Sequence, residues 1–260
     1  MIPHFDFKST NAIGSAPRGR IESSAGSLVN RAQIWVDQDW SGSVASGDEI
    51  SISILAPTAF QEVFMVTPFV GIISQVRPAG DLILIECVTA SARLLLATAQ
   101  VRAWANTMVA QVLSDLLAMS AFDASLASFP DAFQSKLLHC WNTDGGLVAH
   151  EITELLAAVA PDVHACAMPD GALVFGSRGD LAAQLSTWVF PTDASINAEG
   201  VPEYTRTRFS LRPVYAHQAV ASPIDGSLLG TVDSVKHYIA PGQVYTDVVL
   251  DRTPDAGVSV

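Results

Sequence analysis

The sequence is poor in charge, and in lysine above all. Only 15% of its 260 residues are charged, against ~25% in a typical soluble domain. Lysine occurs at Lys8, Lys136 and Lys236 alone, and acids outnumber bases 26 to 14, a formal net charge of −12. Binding duplex DNA or an anionic membrane needs clustered cations, so this balance argues against both. No apolar run reaches the ~18 residues of a membrane-spanning helix. The longest, Val63 to Val76, contains Pro68 and Gly71. The segment Met1 to Lys8 lacks a basic stretch followed by an apolar one, so no cleaved export signal is expected. Cysteine is scarce too. Cys87, Cys140 and Cys166 form an odd set with no C-x-x-C pair. That predicts no disulfide framework and fits synthesis in a reducing compartment.

Catalytic signatures are also missing. There is no G-x-S-x-G elbow, since Gly176-Ser177-Arg178-Gly179 has the wrong spacing. No Gly-Lys pair exists to build a P-loop, and no G-x-G-x-x-G follows a strand. Serines and histidines are too scattered to suggest a triad. His139, Cys140, His150, His164 and Cys166 do lie close together in sequence, and zinc favours such ligands. Their spacing is not that of a compact site, however, and buried cysteines also act as small hydrophobes. His150-Glu151-Ile152-Thr153-Glu154 starts like a zinc-protease helix, but Glu154 stands where the second histidine belongs. Glu151 and Glu154 then read as a solvated helix face. No catalytic, cofactor or metal residue is expected, and the chain reads as a non-enzyme.

What is present is apolar patterning: 49% of residues are hydrophobic, enough for a sizeable core. Residues 9 to 30, rich in Ser, Gly, Ala and Arg, read as an extended arm or a loop, or as a disordered start. Strands follow at Gln33 to Val36 and at Glu49 to Leu55, where Ile50, Ile52 and Ile54 alternate with polar residues. Phe69 to Val76 and Leu82 to Val88 flank the turn Arg77 to Asp81. Leu82 to Ile85 is apolar on both faces, so that strand is expected to be covered on both sides. Val101, Trp104, Ala105, Met108, Val109, Val112, Leu113, Leu116 and Leu117 recur at helical spacing. A second helix is expected from Asp144, its candidate N-cap, to Ala160, and Leu173 to Phe175 reads as a strand. Strands return at Thr205 to Leu211, Leu228 to Val235 and Val244 to Leu250, and residues 253–260 look like a frayed tail. Arg206, Arg208 and Arg212 share one strand face. They suit either a subunit interface rich in carboxylates or a solvated face with cross-strand acids such as Asp233 or Asp247.

One pattern occurs twice. Phe69-Val70-Gly71-Ile72-Ile73-Ser74-Gln75-Val76 and Leu228-Leu229-Gly230-Thr231-Val232-Asp233-Ser234-Val235 both carry a mid-strand glycine. Each is followed by a turn and a second strand, and each is preceded by an alternating strand. A mid-strand glycine marks a bulge or a barrel corner. The repeat therefore suggests a duplicated small β-barrel, with chance likeness between two hairpins as the alternative.

This organisation resembles the central tail hub of phage baseplates, the late-control-D family, related to the hub of the type VI secretion spike. Phe69 to Ile73 followed by Leu82 to Ile85 is similar to the first barrel's hairpin, and Val112 to Leu117 to the helix after it. Asn142-Thr143-Asp144, the helix to Ala160 and Asp170-Gly171-Ala172-Leu173-Val174-Phe175 are similar to the family's insertion. Val232 to Ile239 and Val244-Tyr245-Thr246-Asp247-Val248-Val249-Leu250 are similar to its closing hairpin, the most specific stretch. The resemblance spans roughly residues 34–251.

The resemblance implies an α+β, mainly β fold with two tail-tube-like barrels joined by a small helical insertion. The expected layout is an arm (1–30), first barrel (31–100), insertion (101–185), second barrel (186–252) and tail (253–260). It implies a structural virion protein made in the bacterial host cytoplasm and located in the tail baseplate. A homotrimer would form a pseudo-hexameric ring, with tail-tube protein on one face, spike protein on the other, and further baseplate proteins as partners. No membrane partner is implied. DNA would pass only transiently through the lumen, and the acidic net charge suggests a lining that repels phosphate. Two alternatives remain: a zinc-dependent hydrolase using His139, His150, His164 and Cys166, or another tube-fold component such as a distal tail or tube-initiator protein.

Overall fold

The structure is a computed structural model and describes residues 4–40, 43–57, 63–168, 170–185, 187–189, 206–209 and 214–251. Seven strands come first: β1 (His4–Ser9), β2 (Ile13–Ala16), β3 (Arg18–Ser24), β4 (Arg31–Asp37), β5 (Glu49–Pro57), β6 (Val63–Ala79) and β7 (Leu82–Val88). A mixed region follows: β8 (Ala103–Met108), α1 (Val109–Met119), β9 (Ala127–Ser128), α2 (Asp131–Ser135), β10 (Leu137–Asn142), α3 (Val148–Val159), β11 (His164–Ala167), β12 (Leu173–Gly176) and α4 (Arg178–Gln184). The last strands are β13 (Trp188–Val189), β14 (Arg206–Phe209), β15 (Ala219–Ala221), β16 (Leu228–Ala240) and β17 (Gln243–Asp251). The fold is α+β and mainly β. None of the helices described is long and apolar enough to cross a membrane.

Twelve strands form one sheet in the order β13-β15-β16-β3-β4-β7-β6-β5-β1-β2, with β17 paired to β16 and β14 paired to β17. Two tail-tube-like barrels were expected; the correction is that the sheet is not closed into barrels, because the described strands run as one open path through both halves. The join is β3, antiparallel to β16 on one side and to β4 on the other. The arm is a second correction. Residues 4–24, read as arm or loop from residue 9 on, supply β1, β2 and β3. Phe5, Phe7, Ala16 and Ile21 alternate with polar residues there and bury one face of each strand.

Three main cores sit along the chain. The first gathers Phe5, Phe7, Ile34, Ile52, Phe69 and Ile85 between the strands of the N-terminal half. Ile83, Leu84 and Ile85 are all buried, as expected for a strand covered on both faces. The second core lies in the mixed region, where α1 and α3 pack Val112, Leu116, Ile152 and Leu155 with Leu173 and Phe175 of β12. The third is smaller and uses Val220, Val232, Val235, Val248 and Leu250. Asn30 ties the mixed region to the sheet by donating its side-chain N–H to the Ala167 carbonyl at 2.7 Å.

The repeated glycines have separate causes but a shared consequence. A Cβ on Gly71 would stand 2.2 Å from the Val88 carbonyl oxygen, so β6 and β7 approach too closely there for any side chain. Gly230 instead has φ +148, a conformation that disfavours L side chains. Three residues after each glycine the register shifts by one residue, skipping Ser74 in β6 and Asp233 in β16. The two strands thus carry a bulge at matching positions. Each also pairs with its upstream strand at the glycine itself, Ile50 opposite Gly71 and Val220 opposite Gly230.

Candidate functional site

The continuous sheet from β17 to β6 turns one face to its cores and the other away from them; on that second face Leu84 and Asp247 are nonetheless buried. Strand alternation sets which residues point outward, and the register aligns them in rows. One row runs Asp247, Lys236, Glu22, Arg31 across β17, β16, β3 and β4, with alternating sign. A second runs Tyr245, Tyr238, Arg20, Gln33, Glu86, Gln75. A third is Arg18, Trp35, Leu84, Arg77. The register of β14 sets Arg208 opposite Asp247 and Arg206 opposite Val249, in line with the same rows. Arg212 lies outside the described residues.

These rows form a polar network. Lys236 lies 3.2 Å from a Glu22 carboxylate oxygen, and Arg20 lies 3.6 Å from the same oxygen. Arg77 pairs with Glu86 at 3.2 Å, and Gln33 donates to the same Glu86 oxygen at 2.7 Å. The Arg18 guanidinium stacks over Trp35, 4.5 Å from the ring centroid. Tyr238 and Tyr245 stack at 5.1 Å. Arg31 has no ion pair among the described residues; it borders a groove of about 410 Å³ shared with Glu22, Ser24, Ser234, Lys236 and Asp247.

The charge of this face is unlike that of the whole chain. It holds Arg18, Arg20, Arg31, Arg77 and Lys236 against Glu22, Asp37, Glu86, Asp247 and Asp251, an even balance, although acids outnumber bases 26 to 14 overall. The phosphate-repelling lining expected from net charge is not found on this face. The mixed region is acidic instead: residues 101–185 contain nine acids and three bases. Sequence reading missed the face, yet a signal existed. Arg18-Gly19-Arg20-Ile21-Glu22 and Arg31-Ala32-Gln33-Ile34-Trp35 alternate as half-buried strands should.

The histidines and cysteines that lie close in sequence are not brought together. His139 and Cys140 are exposed on β10, and His150 is exposed on α3, 3.2 Å from Glu154. His164 is exposed on β11, while Cys166 two residues on is buried. Burial pushes the thiols of Cys166 and Cys87 upward, which keeps them protonated and unreactive. Among the described residues no three His, Cys, Asp or Glu side chains converge as metal ligands. Glu151 is a correction. It is buried, and its carboxylate accepts the backbone N–H groups of Asp144 and Gly146, each at 3.2 Å. It closes the loop before α3.

Two buried histidines escaped the sequence reading. His237 contacts the Thr246 hydroxyl at 3.1 Å inside the sheet, and burial lowers its pKa to about 4. His217, at φ +69, is also lowered to about 4, by burial first and then by nearby Arg178 and His164. Arg178 of α4 forms an ion pair with Asp251 of β17, so the mixed region also contacts the C-terminal half of the sheet.

No family model and no curated protein matches the chain in sequence. Solved structures do match in fold. The 43 kDa tail protein of prophage MuSo2 from Shewanella oneidensis has a TM-score of 0.69 at 9% identity, covering 96% of this chain and 98% of that one. A tail protein from Neisseria meningitidis MC58 has a TM-score of 0.64 at 11% identity, covering 98% and 99%. A chain of the lidded PdpA–VgrG complex of Francisella has a TM-score of 0.51 at 8% identity, covering 99% of this chain and 54% of that one. The chain therefore has, over almost its whole length, the fold of phage tail proteins.

Proposed function

We propose that the chain is a structural phage tail protein, the central hub of a baseplate. Three copies would close a ring that joins the tail tube on one face to the spike on the other and lets DNA pass. In this reading the two bulged halves are the tube-like units, nominally residues 31–100 and 186–252, and residues 101–185 are the insertion. The first half is completed by β1 to β3.

The observation that carries this reading is an unmatched strand edge. In β16, Ser234 to Ile239 lie just after the bulge and pair with β3 of the same chain. The corresponding stretch of β6, Gln75 to Ala79, has no strand on that side among the described residues, because β5 ends its pairing at Ile72. A repeat that uses an edge within the chain in one half leaves it for a neighbour in the other. On the opposite flank β14 pairs with β17 on one side. Joining the β6 edge of one copy to the β14 flank of the next is a heterologous contact, which closes into a ring when the rotation permits. Fold likeness to tail proteins supports the same reading, and the repeated bulge favours a hub over a single-barrel tube component.

Native mass spectrometry of the purified chain tests it. The expected species is a metal-free trimer of 27.5 kDa subunits. A single copy carrying stoichiometric zinc overturns the hub in favour of the hydrolase alternative.

A further inference from the structure

The sheet face turned away from the cores raises a separate question: what does a surface with as many cations as acids meet on so acidic a chain? We propose that it is a DNA-facing surface whose grip is held down by its own carboxylates, Glu22 and Glu86. The proposal rests on the channel reading above and assigns the lining and its restraint.

Cations attract phosphate by releasing counterions, and a cation already neutralised by a fixed carboxylate has less to offer. Glu22 engages both Lys236 and Arg20, and Glu86 engages Arg77. Arg18 and Arg31 are left without a carboxylate partner among the described residues. A polyanion moving over the face would meet continuous weak attraction and no deep well. Such a surface neither blocks DNA nor holds it. A second copy's acidic region is a poorer occupant. With signs alternating along the row from Asp247 to Arg31, a partner fixed in one register would set its acids against Glu22 and Glu86. A sliding polyanion has no fixed register to violate.

The test is a gain of binding. The full chain and the variant Glu22→Gln/Glu86→Gln are titrated against a fluorescent blunt duplex of about thirty base pairs, at about 50 and 150 mM salt. A control variant, Asp123→Asn/Glu154→Gln, removes the same charge from the mixed region. The double variant on the sheet should bind roughly tenfold tighter than the wild type at low salt, with a salt slope steeper by about 2. Adding Arg31→Gln should reverse part of that gain. Equal binding by wild type and double variant overturns the proposal. An equal gain in the control also overturns it, because net charge alone then explains binding. Native mass spectra of the same samples separate the two readings. A changed subunit number without a DNA gain makes the face a subunit contact and sinks the proposal. A monomeric wild type bears on the ring alone, since Arg18, Arg31 and Arg77 are exposed in the single chain.

Discussion

Single residues in this chain show how a backbone or a buried ring sets a local requirement. Gly71 has the least latitude, since the β7 carbonyl of Val88 occupies the place of a Cβ. Gly71→Ala is expected to destabilise the chain by about 2–4 kcal/mol, read from urea unfolding. An unchanged midpoint would mean that β6 and β7 can part there without cost. His237 and His217 make stability pH-dependent. Both have folded-state values near 4, below the unfolded value of 6.5, so the unfolded chain binds protons more readily. Their contribution is complete above about pH 6.5 and is lost as pH falls through 4, about 3 kcal/mol at most for fully buried His237. Unfolding measured from pH 7 to 4 should show this loss, with a shallower slope in His237→Gln.

At the scale of elements, two helices differ from their sequence patterns for physical reasons. The apolar spacing from Val101 to Leu117 predicts one helix, yet residues 103–108 form β8 and the helix starts at Val109. Asn106 has φ +50, which a helix interior does not accommodate. Trp104 pairs across to Trp141 of β10, and its ring N–H donates to Asp115 of α1 at 2.8 Å. A strand partner thus overrode a period that both structures satisfy locally. Likewise α3 begins at Val148, four residues after Asp144, because Gly145 takes φ +91 and Glu151 folds back on the loop. The last hairpin is tighter than expected, with strands reaching Ala240 and Gln243 around Pro241 and Gly242. By contrast α4 starts with a complete capping box, Ser177 with Asp180. Ser177→Ala should cost about 1 kcal/mol and speed amide exchange within α4 before it affects the sheet. Uniform exchange changes across the chain would show that α4 does not open separately.

At the scale of the whole molecule, the central fact is that the sheet passes from one half to the other through β3. A strand from the N-terminal segment completes the C-terminal hairpin, so removing residues 1–24 should unfold the β16 region as well as the first half. Far-UV circular dichroism with hydrogen exchange checks this. Retained protection in β16 and β17 would make the join dispensable. The open β6 edge and the charged face then follow from one arrangement. Both result from the way β3 sits between β4 and β16, which pairs the second half within the chain and leaves Gln75 to Ala79 of β6 without a partner strand among the described residues.

The sequence by itself determined the strands with strict alternation, the two glycine-marked repeats, the apolar faces of α1 and α3, and the absence of a compact metal-ligand spacing. These features depend on neighbours a few residues away, so local pattern is sufficient. Only the tertiary structure decided that β3 bridges two halves, that residues 103–108 become a strand, and that Glu151 is buried. It also decided that Arg31, Glu22, Lys236 and Asp247 align in one row. Each of these joins residues far apart in the chain through register, and register is set by the partner strand, which no local window contains.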